Sequence, residues 1–534
     1  MPASVVSSTT EEADEVDLFI SHSWAAGRWQ KTLAVCYHLN LKFATKVSIL
    51  TWVINALTLF VFAGREGELA GNPLVYLLTV DVPMAVFFFL FLFGQHFHSG
   101  PQRLWLDKLC IPQADNAVKQ IFVQSLPTFV RRSSQMLVLW DGTYFERLWC
   151  NLEFAMFLNA RSSEGNALVV VPLWLPPWLL LTMLLDWISV RLLLLPIQTV
   201  SQSFAWHQLL EAPRSHWLCL LQGIWYNWCN LVAYMPAAMA TAVSFRFKLS
   251  QHRFMLRQLE SFDVRATKCT VSADRAMLEA EIALLYDEID TLPVSVDVDS
   301  PDEASPVPTT PADHADRERL LQESAVVRSQ AVRPLTSYPS HSDCLELFNA
   351  EVRGPLLKTI LYHSGSSSDL PLGICMQAFA PLWFFLLSSS YLACDGFSSC
   401  HAAIEFEGFA SVRELYLVDC AYVLILALCI PTVFPTLLRM LQWATARIGS
   451  LSGQLAVTVL GAFLAYLYTF TLAGSTTGCM MALVVKGPKL SWLLLFGLFC
   501  SWSLCQWYVV FFRDWLPKWL PTSCRCFTKH ADKQ

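Results

Sequence analysis

The sequence predicts a membrane protein that combines a small parallel α/β sheet domain with a bundle of about eight transmembrane helices. Composition is the first reason: 54% of the 534 residues are hydrophobic and only 15% are charged, whereas soluble domains carry about 25% charged residues. The second reason is a series of long apolar stretches. The third is a pair of hydrophilic pieces near the start of the chain in which strand and helix patterns alternate.

Charge and cysteine usage exclude several classes of function. With 37 basic and 43 acidic residues, no strongly basic domain is present, so nucleic acid is not an expected partner. Most of the 17 cysteines lie singly in apolar stretches, and none has the Cys/His spacing of a zinc site, so no metal is expected. The acidic first residues have no basic region or apolar core of a signal peptide, which predicts a cytosolic N-terminus.

Apolar stretches of span length recur along the chain. A bilayer core about 30 Å thick requires roughly 20 apolar helical residues. The predicted spans are 47–63, 74–94, a segment from about Trp178 within 167–196, 217–244, 372–393, 416–438, 454–474 and 490–512.

Charge next to the spans predicts the orientation. Basic residues follow the spans at 244–258 and near Arg439 and Arg447, whereas the loop 64–73 carries more acid than base. Positive-inside logic places both termini and the long segment 245–370 in the cytosol of a multi-pass protein, in a membrane that the sequence does not identify. Cys394 and Cys400 then face outward, where an oxidising environment allows them to pair.

The hydrophilic segment 245–370 has two parts. Residues 274–290 show helical periodicity, with Met277, Ile282, Leu284 and Leu285 near one side. The following stretch is rich in Pro, Asp and Ser and cannot bury enough apolar surface to fold alone, which predicts a flexible tether.

Two pieces, 14–45 and 98–160, are each too small to fold alone but together approach the size of a small α/β domain. Their order is strand 17–21, helix 26–44, strand 103–107, helix 117–133, strand 135–140 and the helix that contains Glu153, followed by a short apolar strand at 167–174. This alternation predicts a parallel sheet with helices on both faces. Because the membrane insert follows the first helix, it joins the amino ends of the strands. We therefore expect the carboxyl ends, where ligands bind, to face away from the bilayer.

These predictions define the domain boundaries. They are 14–45 and 98–175 for the split sheet domain, 46–97 for an inserted transmembrane hairpin, 176–245 for further spans, 246–370 for the cytosolic helical segment and linker, 371–513 for four spans, and 514–534 for a cytosolic tail.

An ordered set of short motifs in the split domain resembles the TIR (Toll/interleukin-1 receptor) family. The stretch "DLFISHS" matches the end of the family's first strand, and "LWLDK" the end of its second. The further matching positions are Ile121, Leu126, Ser133, Tyr144, Trp149, Cys150 and Glu153. The resemblance implies a flavodoxin-like sheet with strand order 2-1-3, a role in signalling, and self-association into homo-oligomers.

The resemblance also implies a site. In TIR domains that cleave NAD, the glutamate at the position of Glu153 faces the nucleotide ribose, where a carboxylate stabilises the oxocarbenium-like centre. Glu153 is thus the candidate catalytic residue of an NAD nucleosidase, a hydrolase for which NAD is substrate rather than resident cofactor. Residues at the carboxyl ends of the strands are the candidates for binding NAD: Ser21, His22, Ser23, Trp24, Asp107 and Trp149.

Some features of this chain leave alternatives open. Family members often carry an arginine where this chain has His22-Ser23-Trp24, Trp149 also suits packing of its helix on the sheet, and Glu153 could be a solvated helix position. The domain could therefore serve as an assembly module without catalysis. A third alternative is a channel or transporter gated by this domain. It ranks last because the ionisable residues within the spans are few and form no repeated pattern: Asp81, Asp186, Arg191 and Asp419.

Overall fold

Helices make up most of the described chain, and four strands form a parallel sheet beside them. The computed structural model describes residues 16–63, 73–97, 102–110, 125–160, 167–200, 215–269, 272–287, 340–357, 360, 370–391, 400–448 and 450–512. The strands are β1 (Val16–His22), β2 (Leu104–Trp105), β3 (Ser133–Trp140) and β4 (Leu168–Pro172). The longer helices are α1 (Arg28–Ala63), α2 (Val82–Phe93), α3 (Leu126–Arg131), α4 (Leu148–Ala160), α5 (Leu175–Val200), α6 (His216–Glu260), α7 (Arg275–Leu285), α8 (His341–Glu351), α9 (Leu372–Ala378), α10 (Ala380–Tyr391), α11 (Cys400–Glu407), α12 (Val412–Cys429), α13 (Val433–Arg447), α14 (Leu451–Val485) and α15 (Leu490–Phe511).

Short helical segments occur between these elements. Those of α type are Pro73–Tyr76 and Asp107–Cys110, those of π type are Leu77–Asp81 and Val352–Leu356, and those of 3-10 type are Gly94–His96, Val264–Ala266, Ser272–Asp274 and Ile430–Thr432.

The sheet has the order β2-β1-β3-β4, with every pair parallel. The predicted neighbours are confirmed: the chain on both sides of the membrane insert joins one sheet, with Phe19 opposite Trp105 and Ile20 opposite Leu137. The second strand is shorter than the predicted 103–107, because a helical turn already begins at Asp107.

Both faces of the sheet are covered, which explains why its strands are apolar almost throughout. Leu18 and Ile20 point to the face that packs on α1 through Ala34. Phe19 points to the opposite face, which packs on α4. Since side chains alternate along a strand, Ser21 lies on the α4 side and His22 on the α1 side. This alternation positions the site.

The first helix of the sheet domain continues into the membrane without interruption. We expected a helix at 26–44 and a separate span at 47–63, but α1 is one helix of 36 residues. The stretch contains no glycine or proline that would end a helix. The boundary expected at 45–46 therefore falls inside a rigid element that links the sheet directly to the bilayer region.

A second helix crosses an expected boundary as well. The predicted span 217–244 is the first part of α6, which runs 45 residues to Glu260 and so passes the boundary at 245–246. The Ser215 Oγ caps its start by accepting a hydrogen bond from the amide of Leu218. At its other end, the Gln258 side chain donates to the carbonyl of Gly142 at 2.8 Å, beside the carboxyl end of β3.

The number of candidate spans is lower than the expected eight. Six helices are long and apolar enough to cross a membrane, and a seventh is added if α9 and α10, which meet at a 65° bend, count as one span. The α6 segment is not among them because Gln222, Asn227 and Asn230 interrupt its apolar character. The six ranges are Arg28–Val61, Leu74–His96, Leu175–Leu193, Val412–Thr445, Ser452–Val485 and Leu490–Phe511.

The predicted helix at 274–290 is α7, and it packs against both α4 and α8. Leu278 and Ile282 are buried, whereas Met277 and Leu284, expected on the inner side, are exposed. The apolar stripe therefore runs through positions four residues apart, as helical spacing requires. The tether predicted after this helix, the tail 514–534 and Ile121 lie outside the described residues.

Candidate functional site

The Glu153 helix begins at a turn that several hydrogen bonds fix. The backbone and hydroxyl of Thr143 donate to Asp141 Oδ1 at 3.1 and 3.0 Å. The side-chain amide of Asn151 donates to the carbonyl of Phe145 at 3.1 Å. These bonds hold the first turn of α4 against the end of β3, so the direction of the Glu153 side chain is set by the backbone.

Glu153 points back to the carboxyl end of β1. The hydroxyl of Ser21 donates a hydrogen bond of 2.6 Å to Glu153 Oε2, and it shares a second bond of 2.7 Å with the hydroxyl of Tyr144. Ser21 has one proton, which it gives to the carboxylate, so the hydroxyl of Tyr144 must be the donor of the second bond. The result is a chain of donors from Tyr144 through Ser21 to Glu153.

Glu153 is partly exposed as a residue, but protein atoms surround its carboxylate. Burial raises the pKa of Glu153 to about 8, and the nearby Asp107 also raises it, whereas the bond from Ser21 and the charge of Arg147 lower it. The free carboxyl is therefore largely protonated at neutral pH. A cationic ligand in this site would favour the ionised form.

Three of the candidate binding residues meet at Asp107, which is close enough to Glu153 to raise its pKa. The indole nitrogen of Trp24 donates to Asp107 Oδ2 at 2.6 Å, and His22 Nε2 lies 3.9 Å from Asp107 Oδ1. Burial lowers the pKa of His22, which the carboxylate of Asp107 only partly offsets. His22 is thus neutral at pH 7, while the ring of Trp24 remains exposed.

The other candidates have structural partners. Ser23 is buried and shares a hydrogen bond of 2.6 Å with the hydroxyl of Thr143. Trp149 is partly buried against the hydrophobic core, which places it in packing. The thiol of the adjacent Cys150 donates to the carbonyl of His22, and burial together with Glu153 raises its pKa well above the ordinary value, so the thiol is unreactive.

Two cationic side chains near the site, Lys31 and Arg147, belong to no sequence motif that would have predicted them. Lys31 Nζ donates to the carbonyl of Ser23 at 3.0 Å, and both Lys31 and Arg147 lie close enough to His22 to lower its pKa. Lys31 lies in the first turn of α1, and Arg147 directly precedes α4. Their positive charge beside a strand end was the available signal. The side chain of Lys108 and the loop residues 111–116 lie outside the described part of the chain.

Comparisons with known proteins give no relative. No protein-family model matches the chain, and neither the curated proteins nor the solved structures contain a significant match.

Proposed function

We propose that the sheet domain is a TIR-like enzyme that cleaves NAD into nicotinamide and ADP-ribose, with Glu153 as the catalytic residue. The observation that carries the proposal is the position of the Glu153 carboxylate, which lies at the carboxyl edge of the sheet and is hydrogen-bonded to Ser21. The parallel order β2-β1-β3-β4 supports it, because ligands of such sheets bind at this edge.

The chemistry follows from charge. Breaking the bond between nicotinamide and ribose creates positive charge on the sugar, and a carboxylate beside that centre stabilises it. Water then adds to the sugar carbon and gives up a proton, so that ADP-ribose and neutral nicotinamide leave. The nicotinamide ring of NAD is cationic before cleavage, so bound substrate also favours the ionised form of Glu153.

The remaining groups fit a dinucleotide. The exposed indole of Trp24 offers a flat apolar surface for a ring, and Lys31 and Arg147 supply positive charge for a pyrophosphate. In this proposal the protein is a signalling enzyme held at the bilayer, self-associating through the sheet domain, with both termini in the cytosol. The rigid continuity of α1 would keep the site at a fixed distance from the membrane.

The test uses the purified full chain in detergent, incubated with NAD, with nicotinamide measured by chromatography. We expect release of nicotinamide and a loss of about a hundredfold or more for Glu153→Gln, which preserves shape but removes the charge. The matched control is Glu279→Gln, which changes a glutamate of α7 paired with Arg275 and distant in role from the site. If the native chain released no nicotinamide under crowded conditions either, the catalytic proposal would be wrong. Self-association measured by light scattering would then identify an assembly module instead.

A further inference from the structure

A second polar site lies in the helices that form the membrane part of the chain. Asp186 belongs to α5, within the candidate span Leu175–Leu193, and is only 2% exposed. An ionisable side chain in such a position is costly and marks a functional site by default. The enzyme proposed above makes no use of it.

Asp186 meets the break between two helices. The helices α9 and α10 join at a 65° bend, and the amide of Leu382 in the first turn of α10 donates to Asp186 Oδ2 at 3.0 Å. Amides in a first helical turn have no partner within their own helix. One oxygen of the carboxyl group therefore accounts for a backbone group that the bend exposes.

The second oxygen has a different environment. The hydroxyl of Tyr234 on α6 interacts with the Asp186 carboxyl group, but the two groups do not reach hydrogen-bond geometry. Among the described residues, Asp186 Oδ1 and the Tyr234 hydroxyl have no hydrogen-bond partner. The hydroxyl of Tyr466 on α14 is also within electrostatic reach of Asp186. Tyr234 and Tyr466 are both buried.

The charged groups nearby are already paired with each other. One helical turn further along α5, Arg191 forms an ion pair with Asp81, which also accepts a bond of 2.8 Å from Trp187 Nε1. Within the described residues, Asp186 forms no ion pair with a cation. Thr45 of α1 and Gln377 of α9 are uncharged and paired, since the Thr45 hydroxyl donates to Gln377 Oε1 at 3.0 Å.

The small space beside the Asp186 cluster limits which ligand could bind there. The gap beside this cluster, lined by Tyr234, Phe379, Leu382 and Tyr466 among others, has no room for a water-sized sphere. A metal ion would need several oxygen ligands around it, whereas a proton needs no volume. A buried carboxyl group without a cation is neutral when it holds a proton.

We propose that Asp186 is a proton-binding site in the membrane part of the chain. On release, the O–H bond of the acid breaks, its electron pair stays on the carboxylate oxygen, and bulk water accepts the proton. The Tyr234 hydroxyl is placed to accept from the protonated acid or to donate to the carboxylate. Because a charged acceptor makes a stronger hydrogen bond, proton release tightens the contact with Leu382, so occupancy of the site is coupled to docking of the bent helix pair.

The test is infrared titration of the reconstituted full chain, which reads the C=O stretch of protonated carboxylic acids. Because Glu153 is a second buried acid that holds a proton, the titration is made in Glu153→Gln. There we expect a buried-acid band that disappears reversibly as pH is raised and that is absent once Asp186→Asn is added. The asparagine retains an oxygen for the amide of Leu382, so the fold should persist, which circular dichroism checks. Asp419→Asn, in the separate span Val412–Thr445 and partly exposed, is the matched control and should keep the band.

Three results would overturn the proposal. They are the lack of a buried-acid band at any pH in Glu153→Gln, a band that never changes while the protein stays folded, and a titrating band that survives when Asp186→Asn is added to Glu153→Gln. None depends on NAD, so failure here is distinct from failure of the enzymatic proposal.

Discussion

Ser21 and Glu153 are 132 positions apart in the chain, yet the serine hydroxyl donates a hydrogen bond of 2.6 Å to the carboxylate. The bond joins the carboxyl end of β1 to the middle of α4 across a membrane insert. This bond gives the one glutamate of the apolar helix α4 a defined partner. The helix is enclosed by the sheet and by α7, and Glu153 is directed at the strand end where a parallel sheet binds ligands.

Replacing Glu153 should change stability in a pH-dependent way. Since the pKa of Glu153 is raised to about 8 in the folded chain, folding favours the protonated acid, and the native chain loses stability as pH rises from the unfolded pKa towards 8. Glu153→Gln has no such proton to lose. We therefore expect the variant to be more stable than the native chain above pH 8, by on the order of 1–3 kcal/mol given the partial exposure. Thermal unfolding at several pH values measures it, and equal curves at alkaline pH would contradict the assigned burial.

The pH dependence of NAD cleavage should follow the same ionisation. In the proposed mechanism Glu153 of the free enzyme must lose a proton to act, so kcat/KM should rise about tenfold per pH unit and level off above a pKa of about 8. The cationic nicotinamide of bound NAD lowers this pKa, so the corresponding limb of kcat should lie at lower pH. Initial rates across the pH range would show both limbs. A rate that falls with rising pH would instead require Glu153 to act as an acid.

Ser21→Ala tests the hydrogen bond directly. The bond from Ser21 lowers the pKa of Glu153, so its removal should move the limb of kcat/KM to higher pH and reduce the rate at neutral pH. High pH should restore much of the loss. Ser133→Ala is the matched control, because Ser133 is also a buried serine on a strand but bonds the carbonyl of Phe129 at the opposite end of the sheet. A loss at every pH that high pH does not restore would assign Ser21 another role.

The sheet was predictable because each strand is short, apolar and followed by a helical pattern, and parallel order follows from that alternation. The continuity of α1 and α6 was not. Hydrophobic periodicity detects a helix and a span separately. The basic residues in 43–47 and 244–248 mark one end of an apolar stretch but do not show whether the helix continues through that point. The structure has six candidate spans, or seven with the bent pair, so the eighth, predicted within α6, stays a prediction.

The sequence predicted part of the candidate site and missed the rest. Motif order singled out Glu153, Ser21 and Asp107, which the fold brings close together. Lys31 and Arg147 were missed because a cation in a turn is usually a solvated surface residue, and only the tertiary structure places it beside a strand end. The proposed role of Asp186 depends on the bend between α9 and α10, which no local sequence pattern predicts.

The predicted span 217–244 is not among the candidate spans, and labelling at the two ends of α6 tests whether this helix crosses the bilayer. At about 1.5 Å per residue, its 45 residues exceed the roughly 30 Å bilayer core. One end contacts the sheet domain through Gln258, and the other lies near Gly487 through His216. We expect Lys268→Cys, an exposed position, to gain labelling only from the cytosolic side.

The matched position at the other end is Lys489→Cys, also exposed, which should gain labelling from outside. Membrane-impermeant maleimide applied before and after permeabilisation separates the two. Cys400 is disulfide-bonded, as expected for an outward loop, although Cys394 lies outside the described residues. Labelling of both engineered cysteines from one side would contradict the assigned orientation.

The crossing of α6 with α14 is close enough that it should tolerate little added side-chain volume. At the contact of α6 with α14, a Cβ on Gly223 would lie 2.6 Å from the Cα of Gly478, and a Cβ on Gly474 would lie 2.8 Å from the backbone of α6. The spacing Gly474-x-x-x-Gly478 is a known means of close helix approach in membranes. Gly223→Ala forces two backbones apart, so we expect a loss of about 1–3 kcal/mol and a lower melting temperature. Gly497→Ala on α15 meets nothing within 4 Å and should be neutral or stabilising, since alanine favours helix by about 1 kcal/mol over glycine. Thermal unfolding of both full-length variants in detergent measures the difference, and equal melting temperatures would show that α6 and α14 do not pack at these glycines.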